Sequence, residues 1–114
     1  MQNQINGGVI QGLSYALFEN RLLDRNTVIM VNANLEEYKI AGAKDMPTIE
    51  PIVIEQYWGK SSTDAAGIGE PATVPTAAAI ANAVYNAIGV RIRTMPMTPR
   101  VVLAAIEAAK GATS

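Results

Sequence analysis

The chain has 114 residues, 49% of them apolar, with nine basic and ten acidic side chains and neither cysteine nor histidine. Disulfides, zinc fingers, protein-ligated iron–sulfur clusters and imidazole catalysis are excluded from this chain, and a Ser-His-Asp or Cys-His triad cannot be assembled from it. A net charge of −1, with Arg91 and Arg93 the one close cationic pair, leaves no footprint for nucleic acid. No run nears the roughly 20 apolar residues of a membrane span, and the first residues lack the pattern of a signal peptide. The length suits a single domain, 1–114, able to bury roughly two-thirds of the surface of its unfolded chain.

Residues 1–6 lead straight into a helix with no strand before it, which reads as a cut inside a larger protein. From Gln4 to Glu19, Ile5, Val9, Ile10, Leu13, Ala16 and Leu17 recur at helical spacing. The opposite side is unusual: Gln4, Gly7, Gly8, Gln11, Gly12 and Tyr15 form a narrow strip of glycine, amide and phenol. Each helical glycine costs about 1 kcal/mol against alanine, so three of them need a reason. Two stand open: close helix–helix packing through Gly8-x-x-x-Gly12, or a face that lines a ligand.

Residues 20–58 follow a different pattern. Leu22-Leu23, a turn at Asp24-Arg25-Asn26 and the run Thr27–Val31 predict a strand or hairpin. Leu35–Ile40 is a short element of open type. Ile49–Tyr57 alternates like a strand, with Pro51 placing its start at an edge. Residues 59–71 are a loop by composition. An alanine-rich helix follows from Val74 to Ile88, with Ala77, Ile80, Ala81, Val84 and Ile88 as its buried stripe and Gly89 as its stop. Val90–Arg93 alternates like a short strand. Thr98-Pro99 opens a last helix in which Val102, Leu103, Ile106 and Ala109 face inward before Gly111 closes it. The expected fold class is α+β, a small mixed sheet packed against about three helices.

Of the ten carboxylates, Asp24, Glu36, Glu37, Glu55 and Glu107 sit among polar and basic neighbours and read as solvated charges. Glu70 differs. It stands in Gly67-Ile68-Gly69-Glu70-Pro71, shortly before a helix start where free N–H groups and the helix dipole favour an anion. The glycines let a ligand approach the backbone, and Pro71 fixes the chain direction. An ionised carboxylate held beside a ligand-sized gap is what a general base requires, although a glycine loop before a helix is commonly only a turn.

Taken in order, several motifs resemble one family. They are Gln4-Ile5-x-Gly7-Gly8-x-Ile10-Gln11-Gly12-Leu13-Ser14, Ala16-Leu17-x-Glu19, Asn34-x-x-x-Tyr38-Lys39-Ile40 and Asp45-Met46-Pro47. Gly67–Pro71, Ala78–Val84 and Met95-Pro96-x-Thr98-Pro99-x-x-Val102-Leu103 continue the series. Together they resemble the C-terminal part of the molybdenum-binding subunit of the xanthine dehydrogenase and aldehyde oxidase family, along essentially the whole chain. Within it the resemblance leans toward bacterial subunits that use the cytosine dinucleotide form of molybdopterin.

The resemblance implies an oxidoreductase that hydroxylates an aldehyde or N-heterocycle with water as oxygen source. Glu70 matches the family's catalytic glutamate, which takes up a proton as the water-derived oxygen attacks an electron-poor carbon. Gln4, Gly69 and Glu70 match positions beside the cofactor. The family's molybdenum is held by the pterin dithiolene, so no protein metal ligand is expected here. Electrons pass to iron–sulfur clusters and FAD on other domains or subunits. Many relatives carry Lys just before Gly-x-Gly-Glu where this chain has Ala66, which removes any cofactor contact of that lysine but leaves the base. Most pterin and substrate contacts lie upstream in the family, so the 114 residues alone are expected to bind no cofactor and show no turnover. The expected partners are the remainder of the subunit, the redox subunits and a small-molecule substrate. The expected compartment is the cytoplasm, with the periplasm as alternative. The rival reading is a non-catalytic packing or assembly module in which the glycine helix docks another helix and Glu70 merely ends a loop.

Overall fold

The computed structural model describes residues 1–54, 56, 62–63 and 67–112. Three helices organise them: α1 (Gln2–Leu17), α2 (Thr76–Ile88) and α3 (Pro99–Gly111), with a single 3₁₀ turn at Ala43–Asp45. α1 starts without a side-chain cap; the Met1 carbonyl takes the N–H groups of Gln4 and Ile5. It ends where the Ser14 carbonyl accepts from both Phe18 and Glu19, at 2.9 and 3.0 Å. α2 stops at Gly89, whose left-handed φ of 71° needs no Cβ and lets its N–H reach the Tyr85 carbonyl at 2.8 Å. α3 opens on extended Thr98 with Pro99 in the first turn, where a missing N–H costs nothing.

The core is small and lies where the three helices converge. Ala16, Ile92 and Met97 are its buried apolar residues, and Leu17, Ala77, Ile80, Ala81, Val84, Ile88, Val101, Val102 and Ala105 pack around them. The Met97 N–H donates to the Ala16 carbonyl at 2.7 Å, fastening the approach to α3 onto the end of α1. The expected stripe of α2 is thus the packed one. On α3 the stripe is shifted: Val101, Val102 and Ala105 touch the core, whereas Leu103 is exposed. The Met97 anchor brings the first turn of α3 onto the core along that side.

The α+β expectation is corrected. Among the described residues there is no strand and no sheet, and the arrangement is helical. Leu23 and Met30 form one isolated antiparallel bridge, closed by the Val31 N–H on the Leu22 carbonyl and the Asp24 N–H on the Ile29 carbonyl. Among the described residues Val90–Arg93 joins no ladder, nor do residues 49–54, which expose Ile52 and Ile54 at 87% and 79%; positions 55 and 57 of that expected strand lie outside the described residues. Alternation marks two faces of a chain, but a strand exists only when a second edge completes its hydrogen bonds, and none is at hand.

Local devices shape the hairpin. The Asp24 carboxylate accepts from the N–H groups of Asn26 and Thr27, each at 2.8 Å, and from the Thr27 hydroxyl at 3.0 Å. Those bonds, the Thr27 N–H foremost, hold its carboxyl below the usual carboxylate range. Val28 takes a left-handed φ of 59°, a conformation costly for a β-branched residue. Buried Asn32 closes the hairpin's base, accepting from the Leu22 N–H and donating to the Asn20 carbonyl.

Candidate functional site

The glycine strip of α1 divides into two functions. Gly8 and Gly12 are buried against the segment leading into α2. A Cβ at Gly8 would stand 2.7 Å from the Ala72 Cβ and 3.1 Å from the Thr73 backbone nitrogen; one at Gly12 would stand 2.5 Å from the Thr76 Cβ. Real Cβ atoms do not approach so closely, so only glycine admits this packing. The partner is therefore this chain's own Ala72–Thr76. Gly7 meets open space, and with exposed Gln4, Gln11 and Tyr15 it forms a polar ridge beside the seat. Gln11 donates to the Tyr15 hydroxyl at 2.7 Å, stiffening the ridge.

Across from that ridge lies the Glu70 loop. The Gln4 side-chain amide donates to the Gly69 carbonyl at 2.9 Å, so two of the three expected site positions touch although 65 residues separate them. Glu70 follows directly and is exposed, with no hydrogen bond or ion pair to its carboxylate among the described residues. Its backbone carbonyl, by contrast, accepts from Thr73 and Val74 at 2.9 and 3.3 Å. The regular helix begins only at Thr76, where the side-chain hydroxyl returns to the Ala72 carbonyl at 2.7 Å. The helix-dipole argument for Glu70 therefore falls away, since that field fades beyond the first turn. What fixes the carboxylate is the path of its backbone. Ala66 lies outside the described residues.

Other residues of the quoted motifs meet at the far end of α1. Buried Ser14 accepts the Ala41 N–H through its hydroxyl at 3.0 Å, and Tyr38 donates its phenol to Glu19 at 2.8 Å. That bond, with desolvation adding to it, raises the Tyr38 phenol above its ordinary value. Asp45 accepts the Gly42 N–H at 2.8 Å. The Ser14 and Glu19 contacts tie residues 38–41 to α1 and the residues just past its end, while the Asp45 bond is local; that structural task was not revealed by motif order alone.

No group of three or more Asp, Glu, His or Cys among the described residues could hold a metal ion. A mainly apolar groove of 590 Å³ between α1 and α3, lined by Leu17, Phe18, Met97, Val102, Leu103 and Ile106 with Lys39 and Thr98 as its polar members, contains none of the expected site residues. No helix among the described residues is long and apolar enough to cross a membrane.

A packed glycine seat, an amide ridge and a glycine-flanked carboxylate thus lie together along α1. The family model for a molybdopterin cofactor-binding domain matches residues 1–47. The putative xanthine dehydrogenase molybdenum-binding subunit XdhA of Escherichia coli K12 is 38% identical over 99 residues, covering 87% of this chain and 13% of that subunit. The aldehyde oxidoreductase molybdenum-binding subunit PaoC of the same organism is 36% identical over 98 residues, covering 85% and 13%. The crystal structure of quinoline 2-oxidoreductase from Pseudomonas putida 86 superposes with a TM-score of 0.83 at 28% identity, over 93% of this chain and 14% of that one. Along most of its length the chain resembles the molybdenum-binding subunits of xanthine dehydrogenases and aldehyde oxidoreductases, and it spans about an eighth of the length of the curated relatives it matches.

Proposed function

We propose that this chain forms one wall of a molybdopterin site in a molybdenum hydroxylase, with Glu70 as the general base and Gln4 and Gly69 beside the cofactor. The observation that carries the reading is the Gln4–Gly69 hydrogen bond, which joins the molybdopterin-domain match at residues 1–47 to the loop bearing the free carboxylate. The residues present fit such a group: amides and an open glycine offer hydrogen bonds and close approach. The cofactor is taken in its cytosine dinucleotide form, and when bound it supplies the two-electron acceptor. Iron–sulfur and FAD groups on other domains or subunits would supply the onward electron acceptors.

Glu70 would take the proton of the water-derived oxygen as that oxygen bonds to an electron-poor carbon of an aldehyde or N-heterocycle, while the hydrogen and electron pair of the broken C–H bond would pass to the acceptor the cofactor supplies. Exposed and without a partner among the described residues, the carboxylate is placed to accept. Gln4, its amide turned to Gly69, and Gln11, its amide on Tyr15, border this side of the wall, and Gly7 keeps that surface low. The test is Glu70→Gln in the intact subunit. Shape is kept and the acceptor is lost, so turnover drops by about 10²- to 10⁴-fold with cofactor content unchanged. Normal turnover in that variant would remove Glu70 from the chemistry.

The rival packing role has an observation of its own, because Gly8 and Gly12 do serve helix packing. Their partner is Ala72–Thr76 of the same chain, so that packing also holds the Glu70 loop in place.

A further inference from the structure

We infer that Gln4 is a positioning residue: its side-chain amide anchors the Glu70 loop on the side that helix packing leaves loose. The inference rests on the reading of Glu70 as the base and adds what sets the base's place. The carboxylate has no partner among the described residues, so its position is inherited entirely from the backbone on either side. On the C-terminal side that backbone is well held. The Glu70 carbonyl takes two N–H groups, and Ala72–Thr76 lie in van der Waals contact with the Gly8–Gly12 seat. On the N-terminal side Gly67 and Gly69 have nothing near where a side chain would be, and glycine backbone is the most easily displaced. One hydrogen bond among the described residues reaches positions 67–69, and it comes from Gln4.

Geometry also dictates the residue type. The bond needs an N–H donor at the end of a three-carbon arm. Asparagine is one methylene too short, and glutamate, though isosteric, offers a carboxylate to a carbonyl. The same helix thus holds both sides of the base, by glycine contact at Gly8 and Gly12 and by an amide one turn earlier at Gln4.

The test uses the intact subunit with Gln4→Ala and Gln4→Glu, each alone and combined with Glu70→Gln. Loss of the clamp accelerates amide hydrogen exchange over residues 67–75 by about fivefold, the scale of one exposed hydrogen bond. Turnover falls about tenfold to a hundredfold through misplacement of the base, with KM and molybdenum content retained. In the Glu70→Gln background the Gln4 substitutions cause no further fall, because they act through that carboxylate. Unchanged exchange over 67–75, loss of molybdenum at constant exchange, or additive effects in the double variants would each overturn the clamp. Normal turnover of Glu70→Gln alone would instead defeat the base assignment, and the exchange result would still stand for the anchor.

Discussion

Two apolar regions of this molecule have opposite fates. α1 and the Gly69–Thr76 segment close on each other so tightly that two positions exclude a single carbon atom, whereas the Leu22–Val31 hairpin and residues 46–54 turn Val28, Ile29, Ile52 and Ile54 outward. The radius of gyration, 18.3 Å against about 13 Å for a compact chain of this length, reflects the open part. The difference lies in what each pattern needs. A helix satisfies its own backbone and requires only a surface to lie on, and small residues let that surface come close. An extended segment needs another edge for its hydrogen bonds before its side chains have a face to bury.

The contrast is sharpest at the glycine seat. Gly12→Ala gains about 1 kcal/mol of helix propensity but forces a Cβ onto Thr76, where overpacking costs about 1–3 kcal/mol or more. With the Cβ only 2.5 Å from that of Thr76 the upper end of the cost applies, so the net is a loss of up to about 2 kcal/mol, read as a lower midpoint in chemical unfolding; a higher midpoint would show that the seat is not closed. Val28→Asn acts in the open region with the opposite sign. Asparagine tolerates the left-handed backbone, so stability rises by about 1 kcal/mol, and a destabilised variant would break the reading of strain there. Gly7→Ala, one residue from the seat but facing open space, stabilises by about 0.5–1 kcal/mol and so separates the ridge from the seat on one helix. Smallest of all, Ile52→Ser and Ile54→Ser each shift unfolding by no more than about 0.5 kcal/mol, since neither side chain is buried. A larger loss would mean that residues 46–54 have a packing partner.

The helices were legible in the chain because each carries its own punctuation: Gly89 after α2, Thr98-Pro99 before α3, and apolar residues at a 3.6 period. The sheet was misread because Val90–Arg93 and Ile49–Ile54 have the period of strands, and period is silent about partners. The inward set of α3 was misplaced around Leu103 for a related reason: the wheel names a stripe, while the Met97 anchor decides its rotation. Of the site, Gln4, Gly69 and Glu70 could be named from motif order. Their contact could not, since it joins positions 65 residues apart, and neither could the division of labour between Gly7 and Gly8. The dipole argument for Glu70 failed because residues 71–75 turn without joining the helix.

One further property follows from the Gln4 bond. The linkage between Gly69 and Glu70 is trans, as Met95–Pro96 is the cis bond recorded in the chain, and in a trans peptide plane the carbonyl and the next N–H point opposite ways. With the Gly69 oxygen turned to α1, the Glu70 N–H points away from it. The loop is electrically one-sided: its acceptor is occupied, and its donor, without a partner among the described residues, stands next to the Glu70 carboxylate. Whatever approaches from that side is best matched when it brings a lone pair and a proton together.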